Sequence, residues 1–525
     1  MRSSGPDKLA RVKISARELL GELLDPGSFV SWDRPPVAID ATPEYAAELA
    51  AAAVAAGTDE SVLTGEGLLR GRRIAVIACE FAFLAGSVGV AAAERITSAV
   101  ERATELGLPL LASPTSGGTR MQEGTVAFVQ MVKIAGAVAA HKSAGHPYLV
   151  YLRNPTMGGV FASWGSLGHM TFAEPGALIG FLGPRVYRAL YGRDFPEGVQ
   201  IAENLYASGV IDGVVPVPVF RRIAHRALNV LCGTPADPPS PERDPKEFGR
   251  GTGVFAAGHE LYGPALREGG DIPAWQSVLI SRRADRPGIR ELLRNVTDRV
   301  PLSGTGQGES DRTVVHALAT LRGQPCVVFG HDRAGQSPDN TMGPAALREA
   351  RRAMALAAEL HVPLVLVIDT AGASLSREAE ERGLAPEIAR CIADLVTLDT
   401  PTVSVLLGQG TGGGALALLP ADRVLAAANG WLAPLPPEGA SAIVHRDTGH
   451  APNLAAAQRI RAVDLQEDGI VDRIVPEYPD AADEPVDFSR RMVAAIAAEV
   501  AALREQPAGK LRATRHSRYR RLGLN

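Results

Sequence analysis

The chain has 525 residues, 46% of them hydrophobic and 21% charged, with a net charge of −4. That length exceeds the roughly 250–300 residues a single core holds, so two or more domains are implied. The balanced charge excludes a general attraction to nucleic acid or membrane. The four cysteines, Cys79, Cys232, Cys326 and Cys391, are far apart and form no C-x-x-C pair, which argues against a zinc ribbon or disulfide framework and for a reducing compartment, the cytoplasm.

Residues 8–25 pattern as an amphipathic helix (Leu9, Val12, Ile14, Leu19, Leu20, Leu23), a packing or docking arm ended by Asp25-Pro26-Gly27-Ser28. The first thirty residues lack an apolar signal core, and no uncharged run approaches the roughly 18 residues of a membrane helix. Residues 46–56 are alanine-rich and stop at Gly57. A buried strand is expected at 73–79, a helix at 88–105, a strand at 108–112, a helix at 121–143 and a strand at 148–152. This alternation predicts α/β layers with parallel strands.

One stretch occurs twice: Asn154-Pro155-Thr156-Met157-Gly158-Gly159-Val160 and Gln409-Gly410-Thr411-Gly412-Gly413-Gly414-Ala415. Each follows a short apolar run and reads as strand, glycine turn, helix start. Such a turn bares backbone N–H groups that can hold an oxygen on which negative charge develops. Two of them predict chemistry with two oxyanions.

The Pro-rich segment 234–245 cannot be regular structure and reads as a linker. Beyond it the chain repeats at a spacing of 254 residues: Leu106-Gly107-Leu108-Pro109 on Leu360-His361-Val362-Pro363, Gly118 on Gly372, His146-Pro147 on Thr400-Pro401. Gly158-Gly159 falls on Gly412-Gly413, or on Gly413-Gly414 with one residue inserted. Two homologous domains follow, 1–235 and 251–525, joined by 236–250. A long helix is expected near 488–505. The last stretch (Arg512, Arg515, Arg518, Arg520, Arg521) is basic, either a solvated tail or a contact for an acidic partner or phosphate.

No G-x-S-x-G, H-E-x-x-H or phosphate-binding G-x-x-x-x-G-K-[ST] is present. In Ser116-Gly117-Gly118-Thr119-Arg120 the glycines admit close approach of a ligand, and Arg120 could meet a phosphate. Glu174, Asp369 and Glu438 are candidate acids or bases, yet each also suits a cap or turn, and none stands out as a base. His141, His146, His169, His331 and His361 show no ligand-like spacing, so no metal is expected.

The motifs Leu63-Thr64-Gly65-Glu66-Gly67, Ser116-Gly117-Gly118-Thr119-Arg120-Met121-Gln122-Glu123-Gly124, Pro155-Thr156-Met157-Gly158-Gly159-Val160 and Glu174-Pro175-Gly176-Ala177 closely resemble the β subunit of bacterial acetyl-CoA carboxylase carboxyltransferase. Asp285-Arg286-Pro287, Ile368-Asp369-Thr370-Ala371-Gly372-Ala373, Glu380-Glu381-Arg382-Gly383 and Gly412-Gly413-Gly414-Ala415-Leu416-Ala417 resemble the α subunit. The chain resembles an actinobacterial type in which the two are fused. The resemblance implies two crotonase-like (ββα spiral) domains in tandem. It implies carboxyl transfer from N-carboxybiotin to the α-carbon of an acyl-CoA through two enolates, with the biotin anion taking the α-proton, so that no side-chain base is required.

On that resemblance, Gly158-Gly159 and Gly413-Gly414 are the two oxyanion holes, although the repeat spacing favours Gly412-Gly413. The β-like half is implied to bind acyl-CoA near Gly117, Gly118 and Arg120. The α-like half is implied to bind biotin, with Gly412 and Ala415 beside the second turn. A biotin carboxylase and biotin carboxyl carrier partner is implied, as is a homo-oligomer (a dimer or trimer of dimers) with the site shared between protomers. In this family a residue after the second glycines influences acyl-chain length, and here Leu416 and Ala417 bring no charge there. The chain departs from the family at the missing four-cysteine zinc ribbon, at Ala371, at residues 302–310 and at Arg377-Glu378. Two further readings follow: a biotin-dependent decarboxylase running the transfer backwards, and a non-catalytic assembly subunit, motivated by departures clustered in the second half.

Overall fold

The computed structural model describes residues 14–233, 272–337 and 340–524. The first half contributes β1 (Val30–Ser31), β2 (Val62–Leu69), β3 (Arg72–Cys79), β4 (Leu110–Ser113), β5 (Tyr148–Leu152), β6 (Thr156–Met157), β7 (Met170–Ala173), β8 (Ile179–Gly180) and β9 (Gly213–Val214). They form a sheet in the order β1-β2-β3-β4-β5-β7-β9, with β6 and β8 paired to each other. The second half contributes β10 (Arg299–Leu302), β11 (Val314–Leu321), β12 (Gln324–His331), β13 (Leu364–Thr370), β14 (Thr402–Thr411), β15 (Arg423–Ala427), β16 (Trp431–Ala433) and β17 (Arg473–Val475). Their order is β10-β11-β12-β13-β14-β15-β17, with β16 on the end of β14.

Both sheets are built in the same way. An antiparallel pair, β2/β3 or β11/β12, is closed by two residues at positive φ, Arg70-Gly71 (49° and 80°) and Arg322-Gly323 (47° and 83°). These tight turns match the strand twist. Parallel strands follow through helical crossovers. Each half is a crotonase-like α/β unit, and the two stand in tandem. The central strands are apolar without alternation, as in β13 (LVLVIDT, all buried), because helices cover both faces.

Helices Val90–Glu105 and Gly124–Ser143 of the first half meet Pro344–Glu359 and Leu384–Thr397 of the second in one continuous core between the sheets. Small residues let them approach: a Cβ on Gly136 would stand 2.9 Å from Val396 Cγ1. The outer face of the first sheet is covered by Ala16–Leu23 and Val217–Cys232, that of the second by Pro485–Arg504. The segment Met121–Ser143 is long and apolar enough to cross a membrane by composition, but 83% of its most apolar window is buried in this core.

The arm expected at 8–25 is helical from Ala16, with Ser15 and Glu18 forming a capping box; residues 8–13, the Pro-rich segment 234–245 and the linker 236–250 lie outside the described residues. The helix expected at 121–143 opens with a single 3₁₀ turn and becomes α-helical at Gly124.

The basic tail is a helix, Ala508–Arg521, in which Arg512 and Arg521 stay exposed while three other cations are engaged by carboxylates of the same chain. Arg515 is buried against Asp422 (2.7 Å), and Arg518 pairs with Asp472 (2.6 Å). Arg520 reaches across to Glu94 (2.6 Å) and Glu101 (2.7 Å) of the first half. Gln130 Nε2 donates to Leu522 O (2.9 Å). The tail therefore straps the two halves together.

Candidate active site

The two glycine turns open into one cavity of about 1850 Å³ between the halves, lined by Gly117, Gly118, Gly158 and Gly159 on one side and Gly372, Gly412 and Gly413 on the other.

In the first turn, Gly158 has φ 64°, donates its N–H to Gly180 O (3.1 Å) and accepts from Ala162 N–H at 2.9 Å. Only one helical turn forms here, not the helix start expected, because the chain breaks at Ser163 into a short 3₁₀ segment. The N–H groups of Gly159 and Val160 donate to no acceptor among the described residues. In the second turn a five-residue helix, Gly412–Leu416, does form. Its first N–H groups have no intrahelical acceptor.

Gly412 has φ 62°, matching the 64° of Gly158, and Gly372 (136°) matches Gly118 (123°). The register is therefore Gly158-Gly159 on Gly412-Gly413, as the 254-residue spacing favours, and the Gly413-Gly414 pairing is corrected. Gly414 backs onto Met342 and Ala373, and Ala415 is fully buried; neither lines the cavity. The helix packs that face into the core.

Arg120 is also corrected. It is fully buried, pairs with Glu60 and with Glu123 (3.4 Å), and donates to Ser87 O (2.8 Å). Burial opposes its charge, and Glu60 more than offsets that. No donor remains for a phosphate, and Arg120 does not line the cavity. Gly117 and Gly118 do line it, but their N–H groups are spent on Ala85 O (2.9 Å) and Ser116 Oγ (3.0 Å). What they offer is a wall without side chains.

The candidate carboxylates are occupied. Glu174 accepts from Asn154 N–H (3.2 Å). Asp369 lines the cavity but pairs with Arg333 (2.9 Å) and accepts from Gln409 N–H (3.0 Å). Burial pushes Glu438 up, yet Arg282 at 2.6 Å outweighs it and leaves the carboxyl below its ordinary range. Behind Asp369, His331 is fully buried and held down to about 4 by burial, so it is neutral, and its Nδ1 accepts from Asp369 N–H at 3.3 Å.

His141 and His316 are likewise held down to about 4 by burial. Unfolding returns all three to about 6.5. Between these values the unfolded chain binds more protons, so stability falls as pH drops. Glu380, raised by burial to about 7, opposes this with one group against three. The urea midpoint is expected to decline from pH 6.5 towards 4; a midpoint that rises over that window contradicts the assignment.

The rest of the cavity wall is mixed: apolar residues (Met157, Phe181, Leu375, Ile388, Leu416, Leu435) share it with charged ones, among them Arg282, Asp285, Arg286, Arg290, Asp332 and Arg333.

The first half, residues 11–220, matches the family model of the carboxyl transferase domain, and residues 269–523 match that of acetyl co-enzyme A carboxylase carboxyltransferase-like proteins. The biotin-dependent acyl-coenzyme A carboxylase beta3 subunit of Mycobacterium tuberculosis is 64% identical over 513 residues, covering 98% of this chain and 99% of the relative. The chain belongs to the biotin-dependent acyl-CoA carboxylase carboxyltransferase family. In keeping with a fused member of the family, the acetyl-coenzyme A carboxylase carboxyl transferase subunits beta/alpha of Salinispora arenicola are 37% identical over 535 residues, covering 99% of this chain and 92% of the relative. Transcarboxylase 12S, solved with methylmalonyl-coenzyme A bound, aligns over 94% of this chain and 90% of its own at 19% identity, with a TM-score of 0.37.

Proposed function

We propose that this chain is the carboxyltransferase component of a biotin-dependent acyl-CoA carboxylase. The observation that carries the reading is the pair of glycine turns of equal geometry facing one cavity. The N–H groups of Gly159 and Val160 are suited to hold the thioester oxygen of an acyl-CoA as its α-carbon becomes nucleophilic. That of Gly413 is suited to hold the ureido oxygen of biotin. N-carboxybiotin, carried on a partner, would supply the carboxyl group as its N–C bond breaks, and its freed nitrogen would accept the α-proton as the new C–C bond forms. The engagement of Glu174, Asp369 and Glu438 supports a transfer without a side-chain base.

We assign acyl-CoA binding to 1–235 and biotin binding to 251–525. The partner is a biotin carboxylase and carrier subunit, and the location cytoplasmic, in keeping with four unpaired cysteines. A homo-oligomer, a dimer or trimer of dimers, could exchange halves between copies across this same interface. Gly412 and Gly413 line the cavity despite the departures at Ala371 and Arg377-Glu378, which favours a catalytic chain over an assembly subunit. Purified protein, the biotin-carrying partner, ATP and labelled bicarbonate are expected to yield acid-stable label in an acyl-CoA. Absence of label with short, branched and long acyl-CoAs alike, while the partner's biotin is carboxylated, would overturn the reading.

A further inference from the structure

Glu380 is a buried carboxylate, 4% exposed, with no cation at ion-pair distance among the described residues. Burying such a charge is costly unless donors satisfy it. Here the donors come from the other half. Phe181 N–H (2.8 Å) and Gln200 Nε2 (2.6 Å) donate to it. Next to it, Glu381 accepts from Asn204 Nδ2 (3.1 Å).

These bonds fix the strand end β8 and the residues after it. Gly180 O is the acceptor for Gly158 N–H, and Phe181 follows directly. The Phe181 ring rests on the second turn: a Cβ on Gly413 would lie 2.8 Å from its Cε2 and Cζ. The segment 180–181 is therefore bonded to the first glycine turn and packed on the second.

We propose that Glu380 is a positioning residue for carboxyl transfer: it draws the 180–182 segment of the first half onto the second half and so sets the separation of the two glycine turns. This rests on the function proposed above. Two reacting groups held on opposite turns must meet within a few tenths of an ångström, and a misplacement of about 1 Å can cost roughly 10²-fold in rate.

The other charged groups around Glu380 are engaged elsewhere. Glu381 pairs with Arg377, Arg382 with Glu378 and Glu309, and Glu387 with Arg348, Arg351 and Arg390. Glu203 accepts from Gly176 N–H. Burial raises Glu380 to about 7, with its hydrogen-bond donors acting to lower it. The ionised form, which Phe181 N–H and Gln200 favour, is thus lost as pH falls below about 7.

The test uses the full chain with its biotin-carrying partner. Wild type is expected to show a fall in kcat below about pH 7. Glu380→Gln is expected to lower kcat by about 10- to 100-fold with KM for acyl-CoA within about twofold, and to abolish that inflection. Glu380→Asp is expected to restore the inflection and part of the rate. Gln200→Met removes one donor and leaves the carboxylate, so the inflection is expected to move to higher pH. Wild-type kcat in Glu380→Gln, or an inflection that neither Glu380→Gln nor Gln200→Met alters, overturns the proposal. A wild-type chain that transfers nothing overturns the function instead, so the two failures are distinguishable.

Discussion

Gly159→Val is expected to lower kcat for carboxyl transfer by about 10²- to 10³-fold, the loss associated with one oxyanion-hole donor, while the protein stays folded. A Cβ at this position would meet Thr119 Oγ1 at 3.0 Å and Met131 Cγ at 3.4 Å, tight contacts that a hydroxyl and a methionine can relieve. The backbone there has no left-handed φ to resist a side chain. The valine methyls would occupy the space above the unused N–H groups of Gly159 and Val160. Gly413→Val is the counterpart in the second turn, but its Cβ would press on Phe181 at 2.8 Å and Ile388 Cδ1 at 2.9 Å, so it perturbs packing as well. Gly159 is the cleaner probe. Steady-state kinetics with circular dichroism and a melting curve check it; a folded Gly159→Val protein with wild-type kcat removes the first turn from the chemistry.

Arg120→Met is expected to cost about 3–5 kcal/mol of stability, because it strands the buried Glu60 carboxylate. Side-chain exposure is 0% for Arg120 and 3% for Glu60, so water cannot take the cation's place. The double variant with Glu60→Leu is expected to recover much of the loss, since an apolar pair of similar volume needs no compensation. KM for acyl-CoA in the folded protein is expected to be unchanged. Denaturant unfolding and steady-state kinetics separate the outcomes. An unchanged unfolding midpoint with a tenfold higher KM would return Arg120 to the ligand.

These two residues also mark where the sequence was and was not legible. The duplication could be read because its landmarks are backbone requirements: Gly118 and Gly372, and Gly158 and Gly412, are needed at positive φ, and a requirement of that kind leaves the same residue at the same spacing. The register of the second turn stayed open because Gly412-Gly413-Gly414 looks alike at every offset, and only φ tells the three apart. The hairpins carried a local signal, Arg-Gly between two apolar runs, at Arg70-Gly71 and Arg322-Gly323.

Arg120 had no local signal for its fate. Its partner Glu60 lies sixty residues earlier, and a lone arginine after a glycine pair looks the same whether it faces a phosphate or the core. The tail cations were likewise visible, but their partners Asp422, Asp472 and Glu94 are set by tertiary packing. Glu380 sits in a run, Arg377-Glu378-Ala379-Glu380-Glu381-Arg382, that reads as an exposed helix surface. What singles it out is the Phe181 N–H arriving from the other half.

The claim at the centre is that two glycine turns hold the two oxygens on which charge develops during one transfer. Single-turnover transfer from a pre-carboxylated biotin partner to acyl-CoA tests it most directly, because the ATP-dependent step is already complete. The rate constant is predicted to fall by at least about 10²-fold in Gly159→Val and in Gly413→Val, with each protein folded. Transfer at the wild-type rate in either folded variant would contradict it.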